Sequence, residues 1–319
     1  MDHGHRGTRA IGLALALLFG APAATAGPLE IAVVTSRDIA PYRAARQGFV
    51  AVLDEAGIAY RIEEFRTETD AAEGREVVQQ IRARRPDLIL TIGSAATRDI
   101  SAAIRDIPIV FSLVLQGAGP GEDELPSLGQ NVTGASMHIP LEVQFRSLRE
   151  AIPSARRFGV MYNPDATGPV VEEAKVVAQR LGVDLVTLPV RSEAEVLEAI
   201  ESLEGKVDLL WSVADPTVFT PQSVNYILLN TLRHKIPFIG LSPSYVRAGA
   251  LLALSCDYVD VGRQSGELAL QIVRGTPPRQ VAVTAPRSVS MFLNLNTAKQ
   301  LEVAISEAVR GKAELITGS

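Results

Sequence analysis

The chain has 319 residues, 47% of them apolar, with a formal charge of −5 and one cysteine. That length exceeds what one hydrophobic core ordinarily serves, so two lobes are expected. A mildly acidic chain without a basic run excludes nucleic acid as a partner, and the lone Cys256 excludes an internal disulfide.

The chain opens with a segment, residues 1–26, that reads as a secretory signal peptide. Arg6 and Arg9 precede the apolar run Ile11-Gly-Leu-Ala-Leu-Ala-Leu-Leu-Phe19, which leads into Ala24-Thr25-Ala26. Its apolar core of about 9 to 13 residues falls well short of the roughly 20 that span a bilayer, and it ends in a small-residue cleavage site. Cleavage before Gly27 is expected. No cysteine follows the run, so no lipid anchor is expected, and no later stretch is apolar enough to cross a membrane. The expectation is a soluble, non-lipidated, periplasmic protein.

From Leu29 the chain alternates short β-branched runs with helical patterns, the signature of a parallel sheet covered on both faces. Strands are predicted at Ile31–Thr35, Tyr60–Glu63, Asp87–Ile92 and Ile107–Ser112, with helices over Tyr42–Ala56 and Ala71–Arg84. The rhythm then lapses: Gln116–Gly129 is rich in glycine, proline and acid, and reads as an exposed loop.

A second series follows Asn131-Val-Thr-Gly134. Helix Leu141–Ala151, strand Arg157–Tyr162, a turn at Asn163-Pro164-Asp165, helix Val170–Leu181, strand Val183–Leu188, helix Ala194–Leu203 and strand Val207–Ser212 are predicted in turn. Helix Gln222–His234, strand Pro237–Gly240, an apolar segment Ala250–Leu254, helix Val261–Arg274, strand Val289–Leu295 and a terminal helix complete the chain. The fold class is therefore α/β, as two doubly wound parallel-sheet lobes. Ligands of such sheets sit outside the carboxyl ends of the strands, which places the site between the lobes.

Strand-exit loops are the informative places, because the free N–H groups at the next helix start attract anions. Ser36, Ser112 and above all Gly93-Ser94-Ala95-Ala96-Thr97 carry small hydroxyl residues there. Ser94 also reads simply as a helix cap. Asp215, before Pro216, puts a carboxylate at the mouth of the second lobe, where it could receive an ammonium group; as an Asp-Pro turn it needs no function. Asp257 reads as a cap for the helix near Val261. Tyr42, Tyr162, Trp211, Phe219 and Tyr245 fall near predicted loop ends, where an aromatic ring can stack on a flat ligand.

Catalytic constellations are missing. There is no nucleophile elbow, no phosphate-binding glycine loop with lysine, and no dinucleotide fingerprint. His138 and His234, the histidines beyond the leader, have no metal-ligand spacing, so neither metal nor cofactor is expected, and the chain does not read as an enzyme. Cys256 reads as a buried filler.

Several segments in this order resemble one family. They are Ile31-Ala-Val-Val-Thr35, Ile92-Gly-Ser-Ala-Ala96, Ile107-Pro-Ile-Val-Phe111, Asn131-Val-Thr-Gly-Ala-Ser136, Gly159-Val-Met-Tyr-Asn-Pro164, Ile236-Pro-Phe238, Gly249-Ala250 before Asp257-Tyr258, and Asn296-Thr-Ala-Lys299. The chain resembles ABC-transporter substrate-binding proteins of the type 1 periplasmic-binding fold, in the subgroup associated with tryptophan and other aromatic amino acids. The resemblance implies a three-crossover hinge near Val132–Ser136, Ser255–Asp257 and Arg279–Val289. The N-terminal lobe would then hold 27–134 with 256–280, and the C-terminal lobe 135–255 with 281–319. It also implies that Ser36, Ser94 to Thr97, Ser112, Asp215 and Ser242 to Tyr245 line the cleft.

Two departures stand out. Many relatives carry Asp-Pro after the fourth strand where this chain has Val114-Leu115-Gln116, and the usual late Leu-Gly-Leu is replaced by Leu301-Glu-Val-Ala. The first lies near the expected cleft, so an aromatic amino acid ligand does not carry over with the resemblance. The expected function is extracytoplasmic capture of a small molecule, an amino acid or related carboxylate, for the permease and ATPase of an importer. The alternative is a periplasmic sensory module signalling to a membrane receptor.

Overall fold

The computed structural model describes Met1 and residues 27–67, 71–115 and 129–316. The expected leader and nearly all of the Gln116–Gly129 loop lie outside the described residues.

Ile31–Val34 is apolar at every position because the strand is covered on both faces, as parallel sheets require. In β1 (Leu29–Thr35), Ile31 and Val33 face one core while Ala32 and Val34 face another. The next elements are α1 (Ala40–Glu55), β2 (Tyr60–Arg66), α2 (Ala71–Arg84), β3 (Leu88–Ile92), α3 (Ser94–Ala103), β4 (Ile109–Val114) and β5 (Val132–Ser136). The five strands pair in parallel in the order β2-β1-β3-β4-β5. β5 is a strand where the sequence suggested none, since Thr-Gly-Ala-Ser has no β-branched run to announce it.

The second series comprises α4 (Leu141–Ala151), β6 (Arg157–Tyr162), α5 (Pro164–Leu181), β7 (Asp184–Pro189), α6 (Glu195–Ser202), β8 (Leu209–Leu210) and α7 (Pro221–Arg233). β9 (Ile239–Gly240), α8 (Pro243–Arg247), β10 (Leu252–Cys256), α9 (Tyr258–Val273), β11 (Val289–Leu293), α10 (Leu295–Gln300), α11 (Glu307–Arg310) and β12 (Glu314–Leu315) follow. The turn expected at Asn163 is absorbed into α5: the Asn163 side chain accepts the Asp165 N–H, and Pro164 occupies the first helical position, where it lacks only a donor that has no helical partner. Strands β7, β6 and β8 pair in parallel, and a bridge between Leu210 and Phe238 leads on to β9 and β10. β11 runs antiparallel to β10, a departure from the all-parallel expectation. It arrives directly from the first sheet's side, without a crossover helix over its own sheet, and so enters from the opposite end.

Each sheet has a core on both faces. Phe49 and Leu53 of α1 cover Val33 and Leu90, with Ile81 of α2 and Ile100 of α3 opposite. Phe145 of α4 and Val171 of α5 cover Phe158 and Val160, with Ile200 and Ile227 opposite. Helix α9 follows β10 of the second sheet yet packs on α1 of the first. Two glycines permit this: a Cβ on Gly262 would run into the Ala45 carbonyl oxygen, and one on Gly48 into that of Val259. The chain therefore passes between the sheets after Ser136, after Cys256, and again before Val289. Among the described residues no helix is long and apolar enough to cross a membrane.

Gly262→Ala should force α1 and α9 apart and cost about 2 kcal/mol by urea unfolding. Gly168→Ala, inside α5 where an added Cβ meets nothing, should instead stabilise by roughly 0.5–1 kcal/mol.

Candidate functional site

Two hollows flank the crossovers. The first is a cleft of 1470 Å³ over the carboxyl end of the first sheet, walled by Ser36 and Arg37 after β1, Thr67 after β2, Ser94 and Ala95 after β3, and Leu113 and Leu115 at the exit of β4. The second is a cavity of 220 Å³ between Met137–Ile139 of the first crossover, Leu141 and Gln144 of α4, Trp211–Ala214 after β8, and Ser255, Cys256 and Tyr258 at the second crossover. Leu115 and Met137 line both.

The cleft wall is built around Gly93. Its φ of 91° lies in the left-handed region, and the Tyr42 hydroxyl sits where a Cβ would be, so glycine alone fits. It caps α3, leaving the first N–H groups of that helix, at Ser94 and Ala95, facing the cleft with the positive end of the helix dipole. The Ser94 Oγ accepts the Leu115 N–H at 3.4 Å and does not cap the helix. Beside it, β4 slips register between Ser112 and Val114, and Leu113 takes a φ of 55°. A leucine in that region costs roughly 1–2 kcal/mol. Strain and bulges of this kind collect where a strand end is re-aimed for binding.

The cavity wall is rigid. The Trp211 indole N–H donates to Gln144 Oε1 at 2.9 Å, Gln144 Nε2 donates to the Ile139 carbonyl at 2.7 Å, and the indole stands edge-on to Phe145 at 5.0 Å. Ser255 Oγ lies 3.3 Å from the Tyr258 hydroxyl. Burial pushes the Cys256 thiol up to about 11, so it is protonated and unreactive at neutral pH. Burial also pulls the His138 imidazole below its usual value, against the opposing charge of Glu173, so it is neutral there. Among the described residues no three His, Cys, Asp or Glu gather as a metal ion would need.

Of the residues singled out from sequence, Ser36, Ser94 and Ala95 line the cleft. Ala96 packs into the core, and the Thr97 hydroxyl bonds Thr91 and the Gly93 carbonyl instead. Ser112 lies beneath the surface with no partner for its hydroxyl among the described residues. Tyr162 belongs to the second sheet's core, and Tyr245 packs on Phe219 and Phe238, where burial raises its phenol. Ser242 precedes α8 without capping it. Asp215 is 1% exposed, and its carboxylate accepts from the Asn163, Thr217 and Val218 N–H groups and the Thr167 hydroxyl. It staples the β6 and β8 exits together and is not among the residues lining either hollow. Asp257 caps α9 as read.

Leu115 falls in the Val114-Leu115-Gln116 segment expected near the cleft, while Met137, Gln144 and Tyr258 are residues that sequence reasoning passed over. Gln144 left a signal: it is a polar residue on the otherwise apolar stripe of Leu141, Phe145 and Leu148.

Residues 30–316 match the family model of the ABC transporter substrate binding protein. A tyrosine-binding protein of Clostridioides difficile is 25% identical over 266 residues, covering 81% of this chain and 76% of that one. A Streptococcus pneumoniae ABC domain solved in complex with L-Trp superposes with a TM-score of 0.65 at 22% identity, covering 90% of this chain and 99% of that one. A ligand-free, open substrate-binding protein with adhesive properties from Clostridium difficile gives 0.75 at 23% identity, covering 91% and 99%. The two structures share the fold.

Asp215→Ala leaves four donors without an acceptor and should lower stability by about 3 kcal/mol in urea unfolding at pH 7. For His138, the unfolded chain binds more protons than the folded one between the lowered value and 6.5, so stability falls as pH falls through that window. Wild type should therefore lose more stability than His138→Gln between pH 7.5 and 5.5; equal losses would mean that the imidazole is not buried.

Proposed function

Because this chain belongs to the ABC transporter substrate-binding protein family, we propose that it captures a small carboxylate-bearing solute, an amino acid or related acid, and hands it to the permease and ATPase of an importer. It is a binding protein and not an enzyme. The observation that carries the ligand-site reading is that Leu115 and Met137 line both cleft and cavity, which sets the hollow over the first sheet next to the one beside the second at the crossovers. The carboxylate rests on the start of α3, at Ser94 and Ala95 beside Ser36, and the rest of the solute reaches toward Trp211. The relatives named for tyrosine and bound to L-Trp support a solute of that size.

On this reading the first lobe comprises 27–137 with 257–287 and the second 138–256 with 288–319, shifted from the bounds expected from sequence because β5 runs to Ser136 and Thr284 bridges Ala135, and they close over the solute by bending at the three crossovers. Contacts on both sides favour the closed state, since a ligand shifts an equilibrium only by its differential affinity. The leader is removed on export, and the mature protein works in the periplasm without a lipid anchor.

Thermal unfolding of the protein, refolded once to strip carried-over ligand, against amino acids, carboxylates, purines and sugars tests the proposal. A true ligand at about 100 times its dissociation constant should stabilise by roughly 2.7 kcal/mol. Ser94→Pro places proline where a first helical position tolerates it but removes that N–H together with the hydroxyl that accepts from Leu115, so it should weaken binding at least tenfold at a stability cost of about 1 kcal/mol or less. An unaltered affinity would remove the α3 cradle from the site.

A further inference from the structure

The charges around this space are one-sided. A bound α-amino acid needs an acceptor for its ammonium as well as donors for its carboxylate. Asp215 is the acid at the mouth of the second sheet, and an ionised carboxylate has about four lone-pair sites. All four are taken by backbone and hydroxyl donors of its own loop and of the β6 exit. Among the described residues the cavity around Trp211 has no Asp, Glu, Lys or Arg in its wall, and its His138 and Cys256 are neutral.

In the cleft over the first sheet, Asp38 and Asp99 are the acids among the described wall residues, and both are ion-paired, to Arg43 and to Arg98. Arg37, Arg66 and Arg75 line the same wall with no ion pair to any described residue. Thr67, 3% exposed and also in that wall, has a hydroxyl with no partner among the described residues. Among the described wall residues, donors and positive charge are thus provided in the cleft, an uncharged ring-sized hollow lies beyond it, and no unpaired carboxylate stands ready for an ammonium.

We propose that the ligand is an organic acid without an ammonium group, an arylalkyl carboxylate whose ring enters the cavity beside Trp211 and whose carboxylate lies on the arginine-bearing wall of the cleft. This rests on cleft and cavity forming one ligand site.

Isothermal titration of the refolded protein with two matched pairs tests the inference: 3-phenylpropanoate against L-phenylalanine, and 3-(indol-3-yl)propanoate against L-tryptophan. Each acid should bind at least tenfold more tightly than its amino acid, with an affinity that drops as salt is raised. Arg66→Gln and Arg75→Gln, both at exposed positions that the fold does not need, should each weaken the acid several-fold and leave thermal stability unchanged. Amino acids binding as tightly as the acids, or more so, would overturn the inference and leave the ligand site standing. Neither member of either pair giving heat or a thermal shift would overturn the site reading itself, and the inference with it.

Discussion

The contact between α1 and α9 decides the architecture. Both helices are amphipathic and each could be buried within its own series, yet Gly48 and Gly262 let their backbones touch. A helix that follows the second sheet's β10 is thereby committed to the first sheet, where Ser265 donates to the Phe111 carbonyl. Once α9 is committed, the chain must cross between the sheets a second and a third time. The antiparallel arrival of β11 follows from that return, and so does the cavity, whose walls include the first crossover at Met137–Ile139 and the second at Ser255–Tyr258.

The crossovers are not equally free along their length. Ser136 Oγ and the Met137 N–H both donate to the Val114 carbonyl, and Thr284 bridges Ala135 as an added edge of the first sheet. Farther on, Arg287 reaches Asp260 and Glu267 of α9 together, with its Nη1 and Nη2 each 2.9 Å from a Glu267 oxygen. The first crossover is therefore tied to the first sheet as far as Met137, and the third as far as Arg287. On the proposed reading, bending falls in the short lengths beyond, next to the cavity.

Fold was legible where burial is regular. The sequence bounds of α2, α4 and β6 coincide with the structure, because a one-sided apolar stripe and a two-sided apolar run leave no ambiguity of period. β8 shrinks from the predicted Val207–Ser212 to two residues, although the Asp208 and Trp211 N–H groups still donate to the Arg157 and Gly159 carbonyls of β6, and the Ser212 hydroxyl reaches the Ile239 carbonyl. The site was legible only in part. The strand-exit rule finds Ser36, Ser94 and Ala95, since it depends on topology alone. It cannot separate an exit residue that faces the cleft from one that holds the loop, and Thr97 and Asp215 are of the second kind. Met137 and Tyr258 belong to no strand exit of the periodic pattern; they matter because distant crossovers meet.

Asp215 shows how one local commitment propagates to function. By drawing Asn163, Thr167, Thr217 and Val218 onto a single carboxylate, the second sheet fixes the mouths of β6 and β8 against each other, and with them Trp211, the residue that follows β8. Gln144 then sets the indole's edge and links it to Ile139 of the first crossover. The rigidity that makes the cavity a defined shape is thus obtained with the acid that would otherwise have been available to a ligand's cation. On the proposed reading the second lobe selects by shape and desolvation, and charge selection falls to the first, where α3, Arg66 and Arg75 stand. On the proposed reading, a solute that satisfies both must be apolar at one end and anionic at the other, and only the closed arrangement lets it meet both walls at once.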